Sequence, residues 1–242
     1  MTFGNIRENR VRSLAVRCWT RGKLSITVCA AVAAALISGY EAWKWRYLLG
    51  PNHITVRKEA ILAQVHQNKS YDYAIIGDSI TEFAELPSLC GKSVLNAGIS
   101  GARIRDAAGL MADLSPILRT NTIILVIGIN DAITTQKRSD TIRADFERLV
   151  HLAKDTGAEV FAATVGPVDF TKPDGAARDP GLINAINAQI RSSIEDNRLI
   201  DLSTNLTADD TVDGVHLTEA GAQRWRNAIE AAVCPSWGSP PR

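Results

Sequence analysis

The stretch Tyr73-Ala-Ile-Ile-Gly-Asp-Ser-Ile-Thr81 decides how the rest of this 242-residue chain is read. A short apolar run, Tyr73 to Ile76, ends in Gly77-Asp78-Ser79, after which a polar residue can open a helix. Strand, tight turn and helix start lift one side chain clear of a sheet edge. The unpaired N–H groups of the new helix then face whatever that side chain attacks. Ser79 is therefore a candidate nucleophile. Glycine and serine at a strand end are also ordinary turn chemistry. The assignment stands only if the chain supplies a base, an orienting acid and oxyanion donors elsewhere.

Outward from this stretch, β and α signals alternate. Apolar runs recur at Val94–Leu95, Thr122–Ile127, Val160–Val165 and Leu199–Leu202. They are continuous rather than alternating, as expected of central strands buried on both faces. Between them lie residues at helical spacing: Ile104, Ala108 and Met111; Ile142, Phe146, Leu149 and Ala153; Ile183, Ile186 and Ile190; and Ala222, Trp225, Ile229 and Val233. A shorter helical pattern, Val56 to Gln67, leads in. Alternation of this kind predicts a parallel sheet between layers of helices, a three-layer α/β/α sandwich. Such sheets bind ligands beyond the carboxyl ends of their strands. The long connection from Gly166 to Pro180 carries three prolines and two glycines, so it is irregular and lies on that side.

Four polar sets fall at these strand ends. They are Gly77-Asp78-Ser79, Asn96-Ala-Gly98, Gly128-Ile-Asn130-Asp131 and Asp213-Gly-Val-His216. Acyl transfer needs these residue types. A hydroxyl nucleophile needs a base, and His216 is one of four histidines. Its tautomer needs fixing, and Asp213 three residues earlier can accept from its other nitrogen. A tetrahedral oxyanion needs donors, which the backbone N–H groups of Ser79 and Gly98 and the amide of Asn130 can supply. Asp78 and Asp131 are read as carboxylates that hold loops, and Arg103 and Arg105 as a solvated helix face. No spacing of His, Cys, Asp and Glu marks a metal site, and no glycine-rich phosphate cradle is present.

Serine, acid and histidine follow this order in the α/β-hydrolases too, but the Gly-x-Ser-x-Gly elbow is absent, since Ile80 and Thr81 follow Ser79. The four sets instead resemble the blocks of the SGNH (GDSL-type) hydrolases, over about residues 72–233. The resemblance implies a flavodoxin-like fold with a central five-stranded parallel sheet. It also implies serine esterase chemistry without metal or cofactor, a Ser79-His216-Asp213 triad, and an oxyanion hole from Ser79, Gly98 and Asn130.

Charge and hydropathy give the N-terminus a separate role. Residues 1–50 hold eight Lys and Arg against two Glu, which leaves the remainder net acidic in a chain of formal charge +1. An acidic body offers no basic face for nucleic acid. Leu24 to Tyr40 is free of charge and, as a helix at ~1.5 Å per residue, reaches roughly 26 Å. Six basic residues precede it, and Tyr40, Trp43, Trp45 and Tyr47 follow. This pattern predicts a signal-anchor that crosses a membrane with the N-terminus inside. A cleaved signal peptide and a buried soluble helix are the competing readings. The resulting organisation is a basic cytoplasmic segment (1–23), a transmembrane anchor (24–40), a juxtamembrane linker and helix (41–71), the hydrolase domain (72–233) and a tail (234–242). Cys90 and Cys234 are the two cysteines beyond the anchor, and an oxidising compartment favours pairing them.

The expected function is a membrane-anchored, extracytoplasmic serine esterase acting on a small ester or an acylated carbohydrate. O-acyl transfer, lysophospholipase or thioesterase chemistry on the same fold, and non-catalytic carbohydrate binding, are the alternatives. No oligomeric state is assigned.

Overall fold

Tyr71–Gly77 forms strand β1 at the centre of the sheet, and every later parallel strand is placed relative to it. The computed structural model describes residues 51–234 apart from 69, 85 and 135–138. The anchor expected over 24–40 and the tail beyond Cys234 lie outside the described residues. Among the described residues no helix is long and apolar enough to cross a membrane.

The elements alternate as the periodicity requires. Helix α1 (Pro51–Gln67) precedes β1, and Ser79–Phe83 forms the short helix α2. A hairpin of β2 (Ser88–Leu89) and β3 (Lys92–Gly98) follows, then α3 (Ile104–Leu114) and β4 (Thr120–Val126). After α4 (Ser139–Lys154) come β5 (Glu159–Ala163), α5 (Pro180–Ser193), β6 (Leu199–Ile200) and α6 (Glu219–Val233). Helix α1 starts at Pro51, ahead of the expected Val56. Proline suits the first helical turn because its missing N–H would have no partner there.

The sheet order is β2-β3-β1-β4-β5-β6. Its last five strands are parallel and take the flavodoxin-like order. The expectation of a five-stranded parallel sheet needs one correction: β2 adds a sixth, antiparallel strand at the edge. Two residues joined by the Cys90-Gly91 turn are too short to leave a periodic signal, so pairing with β3 alone defines this strand.

Successive strand side chains face opposite sides, and two cores result. Ala74, Ile76, Leu95, Ala97, Ile123 and Leu125 pack against Ile61 of α1, Met111 of α3, Phe146 of α4 and Ile186 of α5. Tyr73, Ile75, Ile124, Val126 and Phe161 pack on the other face against Trp225 and Ile229 of α6. In register, Gly77 pairs with Gly98 on one side and Val126 on the other. The turns after β1, β3 and β4 therefore leave the sheet at one level.

A disulfide joins Cys90 in the hairpin turn to Cys234 at the end of α6, with Cα atoms 5.6 Å apart. It ties one sheet edge to the helix that covers the second core.

Candidate active site

Asp78 caps α2 by accepting from the Ile80 N–H (3.0 Å), and this turn presents Ser79 at the helix start. Ser79 Oγ lies 2.9 Å from His216 Nε2. His216 Nδ1 lies 2.7 Å from Asp213 Oδ2, while Asp213 Oδ1 accepts from the N–H groups of Val215 (3.0 Å) and His216 (2.8 Å). One carboxylate oxygen thus fixes the local turn and the other fixes the imidazole. With Nδ1–H donated to Asp213, Nε2 is left as the acceptor facing the serine hydroxyl. Burial pushes the Asp213 carboxyl up, but the hydrogen bonds from His216 and Val215 outweigh it, and the group is held below the usual range.

The structure brings three of the five residues expected at the site into one hydrogen-bonded chain across 137 residues of sequence. Asn130 sits in the 3-10 turn Ile129–Ala132 after β4 and is buried. One N–H of its amide donates to the Ala102 carbonyl (3.0 Å), which orients the side chain and leaves a second N–H.

Gly98 ends β3, level with Gly77 of β1. Its N–H donates to Asn96 Oδ1 (3.0 Å), and a Cβ there would overlap the backbone of Glu82 in α2. Glycine at 98 serves the close approach of β3 and α2. Among the amides from Gly98 to Ala102, only that of Gly101 lacks a partner within the described residues. Ile99 N–H donates to Gly77, Ser100 N–H to Glu82, and Ala102 N–H to Ile99. Gly101 directly precedes the residue whose carbonyl holds Asn130. Gly98-Ile-Ser-Gly101 contains two glycines, and the Asn96 side chain distinguishes them by taking the Gly98 N–H.

Asp174 was not anticipated at all. It lies in the long 166–180 connection, and its Oδ2 is 3.9 Å from His216 Nδ1. Asp174, Asp213 and His216 also form the one cluster of potential metal-ligating side chains among the described residues. Two of the three are held in the hydrogen bonds just given.

Asp78 and Asp131 hold loops, as expected from their positions. Asp131 Oδ2 accepts from Ile104 N–H at the start of α3 (3.0 Å). Both are ionised with difficulty. Burial pushes Asp78 up to about 7, opposed by the Ile80 hydrogen bond and by His216 and Arg178, and reinforced by Asp131. Burial likewise pushes Asp131 up to about 6. A raised carboxyl pKa means that folding disfavours the charged form. Its effect is absent below the unfolded value of 3.8, grows as pH rises, and is complete above about 7. For Asp78 the full effect is about 4 kcal/mol. Asp78→Asn keeps an acceptor for Ile80 and cannot ionise. Its stability advantage over wild type should therefore widen between pH 4 and 8, by urea denaturation. A difference independent of pH would contradict the burial of this charge.

No curated protein matches the sequence. Among solved structures, a Streptococcus pneumonia protein named for platelet activating factor shares 22% identity at a TM-score of 0.60, covering 83% of this chain and 98% of its own. A GDSL-like lipase from Bacteroides thetaiotaomicron shares 21% identity at a TM-score of 0.53, covering 74% and 94%. A carbohydrate acetylesterase from Sinorhizobium meliloti shares 16% identity at 0.53, covering 68% and 98%. These likenesses are of fold. Residues 75–224, more than half of the chain, match the model of one family described as GDSL-like Lipase/Acylhydrolase. The matched span includes Ser79, Asn130, Asp213 and His216, and the chain accordingly belongs to the GDSL-like lipase/acylhydrolase family and is a carboxylic-ester hydrolase.

Proposed function

We propose that the protein removes short acyl groups, acetyl above all, from carbohydrate on the outer side of a membrane. The observation that carries the chemistry is the unbroken chain Ser79 Oγ, His216 Nε2, His216 Nδ1, Asp213 Oδ2 at 2.9 and 2.7 Å. Ser79 Oγ attacks the ester carbonyl carbon, and its proton passes to His216 Nε2. The oxyanion is met by the Ser79 N–H, the free N–H of Asn130 and the Gly101 N–H, which takes the place first expected of Gly98. Collapse breaks the carbon–oxygen bond of the ester, and His216 returns the proton to the leaving alkoxide. Water then attacks the acyl-enzyme by the same route, giving the free acid and restoring Ser79.

Two spaces flanking this chain support the substrate. An apolar cavity of about 30 Å³, lined by Asp78, Ile80, Val126, Val215, Leu217 and Trp225, lies next to it without including Ser79 or His216 in its wall. That is room for roughly two waters, the scale of a methyl group. A polar groove of about 910 Å³ runs past Phe83 and Leu217 toward Gln64, Asn68 and Arg226. The Phe83 ring, 63% exposed, is centred 6.2 Å from that of His216. A leaving alcohol that extends past Phe83 would enter this larger and more hydrophilic space. The extracytoplasmic, anchored location is supported by the charge and hydropathy of residues 1–50. The Cys90–Cys234 disulfide is likewise suited to an oxidising compartment.

The test combines a fluorophosphonate probe with an ester panel. The probe should label Ser79, and p-nitrophenyl acetate should turn over at least about tenfold faster than the decanoate. Preference for decanoate would replace the short-acyl reading by lysophospholipase or thioesterase activity. Acetyl transfer to an added oligosaccharide ahead of water would make the protein a transferase. Absence of labelling would sink the mechanism and favour a binding module.

A further inference from the structure

His216 faces two carboxylates where the relay requires one. Asp213 Oδ2 lies 2.7 Å from Nδ1, within hydrogen-bond range, and Asp174 Oδ2 lies 3.9 Å from the same nitrogen, beyond it. The second acid is not there through a loose loop. The N–H groups of Asp174 (3.0 Å) and Gly175 (3.2 Å) both donate to the Asp213 carbonyl, and Asp169 N–H donates to the Gly214 carbonyl (3.1 Å). A Cβ on Gly175 would strike the Asp169 carbonyl, and one on Gly214 would lie 2.7 Å from Gly175 N. Glycine at both positions lets the two loops touch, and this contact carries Asp174 to the imidazole.

Asp174 Oδ2 also accepts from Arg178 Nη2 (3.2 Å). The Arg178 side chain is buried, and its Nε has no hydrogen-bond partner among the described residues. One carboxylate oxygen therefore stands between a fixed guanidinium and the catalytic imidazole. Part of its charge is countered by Arg178 in the resting state. When Ser79 gives up its proton, the imidazole gains a positive charge within 4 Å of it.

We propose that Asp174 is a second acid for His216. It is a positioning residue that stabilises the imidazolium through space and takes over the Nδ1–H when Asp213 is lost. The proposal rests on the reading of Ser79, His216 and Asp213 as the catalytic relay. The charged groups facing the imidazole are Asp213 and Asp174 beside Nδ1, Asp78 beneath Ser79, and Arg178 behind Asp174.

The experiment measures kcat, KM and the pH profile on p-nitrophenyl acetate for Asp174→Asn, Asp213→Asn and the double variant. Asp174→Asn alone should lower kcat about tenfold with KM unchanged, and should move the acid limb of kcat/KM to lower pH. In the Asp213→Asn background the same change should lower kcat about a hundredfold, because the remaining acid is removed. Asp174→Glu should restore the acid limb. Arg178→Gln, which frees the Asp174 charge, should move that limb the opposite way, to higher pH, and this checks the proposal even if Asp174→Asn fails to fold. Equal effects of Asp174→Asn in both backgrounds, or an acid limb unmoved by either Asp174→Glu or Arg178→Gln, would overturn the second acid. The relay is judged separately by Ser79→Ala, so failure of one reading is distinguishable from failure of the other.

Discussion

Ser79→Ala is expected to lower kcat/KM on p-nitrophenyl acetate by about 10⁴–10⁶. Alanine removes the only atom that bonds to the acyl carbon, and His216 is left with no hydroxyl to deprotonate. Residual hydrolysis would come from water placed by His216 and from the oxyanion donors, which the substitution leaves in place. His216→Ala should act as strongly, and combining the two should add little, because nucleophile and base act as one unit. The fold should survive. Ser79 is small and buried, its one side-chain hydrogen bond is to His216, and its backbone is held by the Asp78 cap. A melting temperature within a few degrees of wild type, with activity gone, separates chemistry from folding. Turnover at the wild-type rate would end the assignment.

Breaking the Cys90–Cys234 bridge is expected to have the largest effect on stability. The bridge closes a loop across a sequence separation of 144 residues. In the chain-entropy description, a loop of that size restricts the unfolded state by about 5 kcal/mol, an upper value. The bridge also acts locally. Tyr73 of the central strand donates its hydroxyl to Cys90 Sγ, and Cys234 follows the helix whose Trp225 fills the second core. The double substitution Cys90→Ser, Cys234→Ser should lower the melting temperature by about 10–20 °C. Reductant should reproduce this in wild type and do nothing further to the variant. A melting temperature indifferent to both would show that α6 is held by packing alone. Because α6 begins just after His216, activity should be lost at a lower temperature too.

Strand β1, the turn that follows it and the serine it presents were legible because every signal there is local. Apolar residues end in a glycine, an aspartate caps the helix through a bond two residues away, and the serine stands between them. Asp213 and His216 were legible for the same reason, since three residues of turn suffice to bring carboxylate and imidazole together. The parallel sheet between helices was legible from the alternation of β and α signals, whereas the order of its strands is seen only in the fold. Gly98 and Gly101 are not told apart in sequence, because a glycine needed for close approach and a glycine beside an amide open to substrate look alike. The difference lies in the Asn96 side chain, which claims the Gly98 N–H.

Read alone, the chain established a parallel α/β frame, a serine, a histidine and an acid at one sheet edge, and a distinct N-terminal segment. Periodicity and capping report a residue's own backbone and its burial, and these are set by neighbours in sequence. Folding settled what depends on pairs far apart. It closed Cys90 onto Cys234 across a sequence separation of 144 residues. It also brought Asp174 to within 3.9 Å of His216. No local pattern encodes these pairs, because each results from two loops or edges that meet only when the helices on both faces have packed against the sheet.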